Sequence, residues 1–445
     1  MAGPRRPGSD RTARRGEHDL PGVLESPLSA TWRPTVRERA VLVGVGPGIT
    51  EADLDELAAL SESAGAEPVA RLIQNRPEPD PATFVGRGKL GELHDVIGAS
   101  RAAAVILDRE LNPGQLRSLE ERLGVKVIDR TALILDIFAL HARSREGKAQ
   151  VELAQLNYLV PRLRGWGEAM SRLGAGIGTR GPGETKLEVD RQHIRRRITK
   201  LRKDIKDLER TRDVKRASRR RSQIPQLAIA GYTNAGKSTL LNRITGADVL
   251  VADQLFATLD PTTRRLILPA GRRVTASDTV GFVRKLPHDL VEAFRSTLEE
   301  VNEADIIVHV ADAATSDLDE QITAVRTVLE EIGAADIPEL LVLNKIDRVT
   351  GSERARLARR FPGSIPVSAV TGEGAAGLLE AIEAAIPRPP IDVTLLVPFG
   401  REDVTAMLYR EAEVLSTDLE AEGTRVHARV DGRELARVQA FVLAD

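Results

Sequence analysis

From Glu38 onward, short apolar runs take turns with amphipathic stretches. "AVLVGVG" from Ala40 reads as a buried strand, and "ITEADLDELAALSESAG" as a helix capped by Thr50. "EPVARLIQNR" is a second strand, and "GRGKLGELHDVIGAS" a helix opened by glycine. "AAAVILD", "NPGQLRSLEERLG" and "VKVIDR" follow as strand, helix and strand. This rhythm predicts a small α/β domain with a largely parallel sheet over 38–130. "GVGPG" at Gly44 has the wrong spacing for a dinucleotide fingerprint and carries a proline, so it is read as a tight strand-to-helix turn.

The period then changes. Leu153, Leu156, Leu159 and Leu163 recur at three and four, giving long helical character from Thr131 to about Arg164. After the glycine-rich "RGWGEAMSRLGAGIGTRGPGETK", Leu187, Ile194, Leu201 and Leu208 recur every seven residues, with Ile198 and Ile205 four after Ile194 and Leu201. That seam needs a helical partner, so 131–222 is read as an antiparallel hairpin with a glycine-rich tip.

Pro225 marks the next boundary. Over 223–388, "QLAIAG", "RRLILP", "RVTASD", "ADIIVHVAD", "ELLVLNK" and "SIPVSA" read as strands with helices between them. "PRPP" from Pro387 is a linker. The remainder, 391–445, offers a strand "DVTLLVPF", a helix "EDVTAMLYREAEVL", and a hairpin of "RVHARV" and "ARVQAFVL" around Asp431-Gly432, hence a small α+β domain.

Composition narrows the setting. The 445 residues contain no cysteine, which excludes disulfides and thiolate metal sites and fits a reducing cytoplasm. No apolar run approaches the ~20 residues of a membrane span, and residues 1–37, rich in Pro, Gly and Arg, read as a disordered basic leader rather than a secretory signal. The formal charge of the whole chain is −1, yet Arg191 to Arg221 holds 15 Lys or Arg against 4 Asp or Glu. A solvated coiled-coil face ordinarily balances its signs; an excess of this size points to a polyanion.

Candidate chemistry centres on "GYTNAGKS", Gly231 to Ser238, which matches G-x-x-x-x-G-K-[ST] between a strand and a helix. Its glycines let backbone N–H groups turn toward phosphate oxygens, and the following helix adds its positive end. Gly231, Tyr232, Thr233, Asn234, Ala235 and Gly236 thus form the cradle. Lys237 reaches the outer phosphates, and the Ser238 hydroxyl binds Mg2+. Asp278, Thr279, Val280 and Gly281 ("DTVG") follow a strand; the aspartate holds Mg2+ through water and the Gly281 N–H senses the γ-phosphate. Asn344, Lys345, Ile346 and Asp347 ("NKID") end another strand. A carboxylate at Asp347 accepts from guanine N1–H and its amino group, a donor pair adenine lacks. Ser368, Ala369 and Val370 place a backbone N–H on guanine O6. These elements in this order read as a GTP site. Between the first two lies a mobile loop, "DQLFATLDPTTRR", with Phe256, Ala257, Thr258, Leu259 and Asp260 near the phosphates. Thr258 is the preferred second Mg2+ ligand, and spacing alone leaves Thr262 and Thr263 as rivals.

The fold class that follows is α/β and multidomain. It comprises a P-loop GTPase domain with a mostly parallel sheet flanked by helices, an N-terminal α/β domain, an antiparallel helical hairpin and a small α+β C-terminal domain.

With "FVGRGKLGEL" at Phe84 to Leu93, "GPGETKLEVDR" at Gly181 to Arg191, "DQLFATLDPTTR" and "DTVGF", the chain resembles the HflX family of translational GTPases. The resemblance spans nearly the whole chain except the leader. It implies the same order of domains, binding to the large ribosomal subunit, and rescue of stalled ribosomes by separating subunits. It also gives the Mg2+ role to Thr258. Ribosomal RNA would be the polyanion, bound through phosphates. The tip, with Trp166, Arg162, Arg164, Arg172 and Arg180, would enter an RNA cavity and stack on unpaired bases. A monomer is expected, partly ribosome-associated.

One position departs from small signalling GTPases. Phe282 stands where they carry the glutamine that orients water, and it has no donor or acceptor. Hydrolysis is therefore expected to be slow alone and faster on the ribosome, with Lys237, Thr258 and Gly281 as the catalytic set. Asn234 is read two ways, as a residue helping to hold K+ beside the phosphates or as a turn-stabilising asparagine. The alternative to ribosome splitting is a GTP-dependent regulatory switch that binds RNA or protein. An ATP-dependent function of the N-terminal region is disfavoured because no P-loop precedes Gly231.

Overall fold

The computed structural model describes residues 37–163, 191–208, 210, 224–246, 255–256, 262–283, 300–386, 391–430 and 432–443. The leader, the glycine-rich tip and residues 257–261 lie outside them.

The N-terminal unit is a parallel four-stranded sheet in the order β2-β1-β3-β4, formed by β1 (Glu38–Gly46), β2 (Ala66–Asn75), β3 (Ala104–Leu107) and β4 (Lys126–Asp129). From Ala40 to Gly46 every residue of β1 is buried, as expected of a central strand covered on both faces. Helices α1 (Asp55–Ser63), α2 (Arg87–Ser100) and α3 (Pro113–Leu123) connect the strands. Thr50 does not cap α1. Its N–H and hydroxyl both bond Asp53, and a 3-10 turn over Ala52–Leu54 intervenes. "GVGPG" is the tight turn expected: a Cβ on Gly44 would lie 2.6 Å from Ile49 Cδ1.

The long helical stretch after Thr131 is two helices. In α4 (Arg130–His141), Ala132, Leu133, Ile134, Leu135, Ile137 and Phe138 are buried against the N-terminal sheet, so this segment packs as part of that sheet's core. The chain then breaks at Ala142, and Ser144 caps α5 (Arg145–Arg162) by accepting from the Gly147 N–H at 2.8 Å. Next to α5 runs α6 (191–208). Its Leu201 is buried, and Arg197 grips Glu152 of α5 with two bonds of 2.6 Å.

The central unit is a six-stranded sheet in the order β10-β9-β8-β5-β7-β6. Its strands are β5 (Gln226–Gly231), β6 (Thr262–Ile267), β7 (Arg273–Asp278), β8 (Ile306–Asp312), β9 (Glu339–Asn344) and β10 (Ile365–Pro366). Only β6 is antiparallel to its neighbour. Helices α7 (Lys237–Thr245), α8 (Leu318–Glu331), α9 (Gly351–Arg360) and α10 (Ala375–Ala385) flank it.

The last unit is an antiparallel sheet, β11 (Ile391–Pro398), β13 (Gly423–Val430) and β12 (Glu413–Leu419), with α11 (Glu402–Glu411) and α12 (Gly432–Val438). It differs from the expected hairpin at Asp431-Gly432. The hairpin joins β12 to β13, and the segment after Gly432 is helical. The reason is spacing: Leu435 and Val438 are three apart and fall on one helical face, which packs with Val404, Met407 and Leu408 of α11. Among the described residues no helix is long and apolar enough to cross a membrane.

Candidate nucleotide-binding site

β5 delivers the chain to Gly231, where a Cβ would sit 2.1 Å from the Val310 carbonyl oxygen, so only glycine fits. Gly236 is held as closely, at φ +92, with a Cβ position 2.3 Å from Asn344 Nδ2. Between them Asn234 turns the loop at φ +60, a left-handed conformation that asparagine tolerates. The curl opens directly into α7, whose first N–H groups lack helical partners.

Lys237 is buried and donates to the carbonyls of Gly231 at 3.1 Å and Tyr232 at 2.8 Å. Burial pushes its ammonium down to about 8, against the pull of Asp278. Next to it the Ser238 hydroxyl donates to Asp278 Oδ2 at 2.5 Å, and Asp278 is itself buried. A hydroxyl and a buried carboxylate converging beside a phosphate loop are an all-oxygen set, which suits Mg2+.

Thr279 anchors the "DTVG" segment by donating to the Ile229 carbonyl at 2.8 Å. Gly281 lies so close to the loop that a Cβ would be 2.6 Å from Thr233 Cγ2 and 3.1 Å from Lys237 Nζ. Phe282 is buried and bridges to the loop through its backbone: its N–H donates to Gly231 O at 3.1 Å, and the Thr233 N–H donates to Phe282 O at 2.7 Å.

At the opposite end, Asn344 donates to the Ala235 carbonyl at 2.7 Å and accepts from the Ala369 N–H at 3.0 Å, tying three motifs together. Lys345 stands at φ +60 and pairs with Asp312 at 2.7 Å, while Ile346 is buried. Asp347 is exposed, and the Ser368 hydroxyl bonded to it holds its carboxyl below the usual range. Ser368 is fully buried; Val370 is exposed.

The structure thus brings together Gly231 to Ser238, Asp278 to Gly281, Asn344 to Asp347 and Ser368 to Val370. It does not bring the Phe256 side chain to them. Phe256 is buried among N-terminal core residues, its ring edge-on to Phe138 with centroids 4.7 Å apart. Leu255, Val280 and Val283 join the same cluster. The preceding turn is fixed there too, by a Leu255 N–H bond to Ser63 Oγ at 3.1 Å. Ala257, Thr258, Leu259 and Asp260 fall outside the described residues.

Arg162 is also not the exposed tip residue the sequence suggests. Its guanidinium reaches Asp129 at 3.2 Å and the Leu111 carbonyl at 2.7 Å, and lies 3.5 Å from the Tyr158 ring centroid. The other tip residues, Arg164, Trp166, Arg172 and Arg180, lie outside the described residues. Sequence reasoning missed Glu56 and Arg130. The Tyr232 phenol donates to Glu56, which also receives Arg130, and Arg130 holds Asp108 at 2.8 Å. No motif marks these positions.

The chain is similar to known proteins along most of its length. Three family models match in succession: "GTP-binding GTPase N-terminal" over residues 51–139, "GTP-binding GTPase Middle Region" over 141–219 and "50S ribosome-binding GTPase" over 226–345. A protein named GTPase HflX from Caldanaerobacter subterraneus is 48% identical, over 92% of this chain and 94% of its own. Its namesake from Escherichia coli is 45% identical, over 84% of this chain and 88% of its own. Among solved structures, a GTP-binding protein from the archaeon Sulfolobus solfataricus in complex with GDP is 26% identical, covering 78% of this chain and 98% of its own at a TM-score of 0.42.

Proposed function

The chain belongs to the HflX family of GTPases and hydrolyses GTP, and from that premise we propose that it acts on the large ribosomal subunit in the cytoplasm, separating or rescuing stalled 70S ribosomes. The carrying observation is the face of α6. Arg195, Arg196, Lys200, Arg202, Lys203 and Lys206 are exposed, while Leu201 on the opposite side is buried. Such a helix presents a row of cations to whatever it meets, and ribosomal RNA is a polyanion of matching charge. The family matched over 226–345, described as a 50S ribosome-binding GTPase, supports the same partner.

In this reading the amides from Gly231 to Gly236 and the Lys237 ammonium hold the phosphates. Ser238 and Thr258 would hold Mg2+, with Asp278 reaching it through water. The ion would supply charge neutralisation between the outer phosphates. Asp347 selects guanine. Gly281 approaches the γ-phosphate, and its close seat on Thr233 and Lys237 leaves no room for a side chain. Phe282 offers no side-chain hydrogen bond to water, so the free protein turns over slowly, and ordering of the loops by the ribosome accelerates it. Asn234 helping to hold K+ is part of the proposal, and equal turnover in KCl and NaCl removes it.

Sedimentation of 70S ribosomes with the protein and a non-hydrolysable GTP analogue is the test. Separate subunit peaks are expected, and binding of the protein to isolated large subunits should weaken as salt is raised. Intact particles with bound protein favour the second reading, a GTP-dependent switch that binds without splitting.

A further inference from the structure

Arg243 projects from α7, the helix that Lys237 begins, to the loop after β10. Its Nε donates to the Ala369 carbonyl at 3.0 Å, and its Nη2 donates to the Val370 carbonyl. Its Cδ, Nε and Cζ lie 3.8 Å from the position a Cβ would take on Gly372, which turns at φ +88. Among the described residues Arg243 forms no ion pair, so its charge is directed at these two carbonyls.

The other amides of the loop are committed. The Ser368 N–H donates to Glu373 O at 2.9 Å, Ala369 to Asn344 Oδ1 at 3.0 Å, Thr371 to Ser368 Oγ at 3.1 Å, and Gly372 to Ser368 O at 2.8 Å. The Val370 N–H has no partner among the described residues. The peptide joining Ala369 to Val370 is trans, so its carbonyl and its N–H point in opposite directions. A guanidinium that holds the carbonyl toward α7 holds the Val370 N–H away from α7.

We propose that Arg243 is a positioning residue for base recognition: by anchoring the Ala369 and Val370 carbonyls, it aims the Val370 amide at the O6 carbonyl of bound guanine. This rests on the reading of Asp347 and the Ser368–Val370 loop as the guanine site, and it names the amide that reads O6 and the side chain that orients it. Val370 is exposed, at 69%, so its side chain does not pack that peptide in place, and the bonds from Arg243 act on its carbonyls directly. Fixing the peptide before the base arrives is preorganisation, and it strengthens only contacts made by that amide.

The test is a chemical cycle read by calorimetric affinities of the full chain for three nucleotides. GDP is the reference. Inosine diphosphate lacks the amino group read by Asp347. 6-Thio-GDP keeps the N1–H and amino group and replaces O6 by sulfur, a poor acceptor. The intact protein should bind 6-thio-GDP about tenfold more weakly than GDP, the worth of one hydrogen bond. In Arg243→Met that ratio should collapse to about twofold or less, with GDP weakened and 6-thio-GDP nearly unchanged, while the inosine penalty stays as it was. Arg243→Gln, which keeps one donor, should recover part of the ratio. An unchanged ratio in Arg243→Met, or no thio penalty in the intact protein, overturns the proposal. Equal binding of inosine diphosphate and GDP by the intact protein would instead overturn the Asp347 reading. Thermal melting identifies any variant that fails to fold, and Arg243→Gln then carries the comparison.

Discussion

The Tyr232 phenol donates to the Glu56 carboxylate, so the second residue of the phosphate loop is bonded to α1 of the N-terminal unit. Glu56 is not a loose surface acid. Arg130, at the start of α4, donates to it and also to Asp108 at the end of β3. The loop is therefore fastened through Glu56 and Arg130 to the carboxyl edge of another sheet. Phe256 and Val280, both C-terminal to the phosphate loop in sequence, are buried in that same unit. Any displacement of the loop or of the "DTVG" segment would therefore be felt in the N-terminal packing.

The bond between Tyr232 and Glu56 is partly buried and charge-assisted. Tyr232→Phe and Glu56→Gln, alone and together, should give a coupling of about 1–2 kcal/mol in urea denaturation of the nucleotide-free protein. Additive effects would show that the two residues are merely adjacent. Arg130→Met should cost more, about 3–5 kcal/mol, because it strands two carboxylates.

Gly281→Ala places a methyl group into Thr233 and toward Lys237 Nζ. The segment must lift away from the loop, and on the proposed reading of the site the γ-phosphate would lose its neighbouring amide. Hydrolysis should fall at least tenfold, roughly the effect of losing one well-placed donor. GDP, which lacks that phosphate, should bind within about threefold of the parent value. A rate unchanged by the added methyl would mean that Gly281 does not approach the nucleotide.

Much of this was legible from residue order. The strand-loop-helix around Lys237, the parallel sheets and the heptad helix each follow from local periodicity. What was not legible depends on contacts distant in sequence. Glu56 and Tyr232 are 176 positions apart, and no spacing rule connects them. Arg162 looked like an RNA ligand because sequence shows only its neighbours, arginines and glycines. It is drawn inward by Asp129, a partner 33 positions away. Phe256 belongs by sequence to a phosphate-closing loop, and only the tertiary fold reveals that Phe138 takes its ring. The C-terminal Asp-Gly reads as a hairpin turn but opens a helix, because a turn dipeptide is also compatible with a helix start and the Leu435–Val438 spacing outweighs it.

Glu339 on β9 accepts from the buried His309 at 2.8 Å and from Arg326 at 3.0 Å. Burial alone would raise its carboxyl, but these bonds outweigh it and bring it down to about 2. The folded carboxylate holds its proton less tightly than the unfolded one. Its stabilisation is therefore present above the ordinary glutamate range and is lost as pH falls from about 4.5 toward 2. Discounted for solvent screening, the effect is on the order of 1–2 kcal/mol. Glu339→Gln should flatten this limb of the acid-unfolding curve.

Asp136 gives the opposite slope. It is half-buried on the apolar helix α4, and burial raises its carboxyl to about 8 despite the opposing pull of Lys126. The folded state therefore keeps a proton that the unfolded chain releases near the ordinary value of 3.8. Stability contributed by the neutral form is complete below that value, and it is lost as pH rises through the interval up to about 8. Asp136→Asn keeps the shape and cannot ionise. It should be close to neutral at pH 4 and stabilising by roughly 2–4 kcal/mol at pH 9, with most of the gain arising between these limits. Urea midpoints at pH 4, 7 and 9 decide it, because a gain independent of pH would place Asp136 in contact with water or a cation rather than in apolar surroundings.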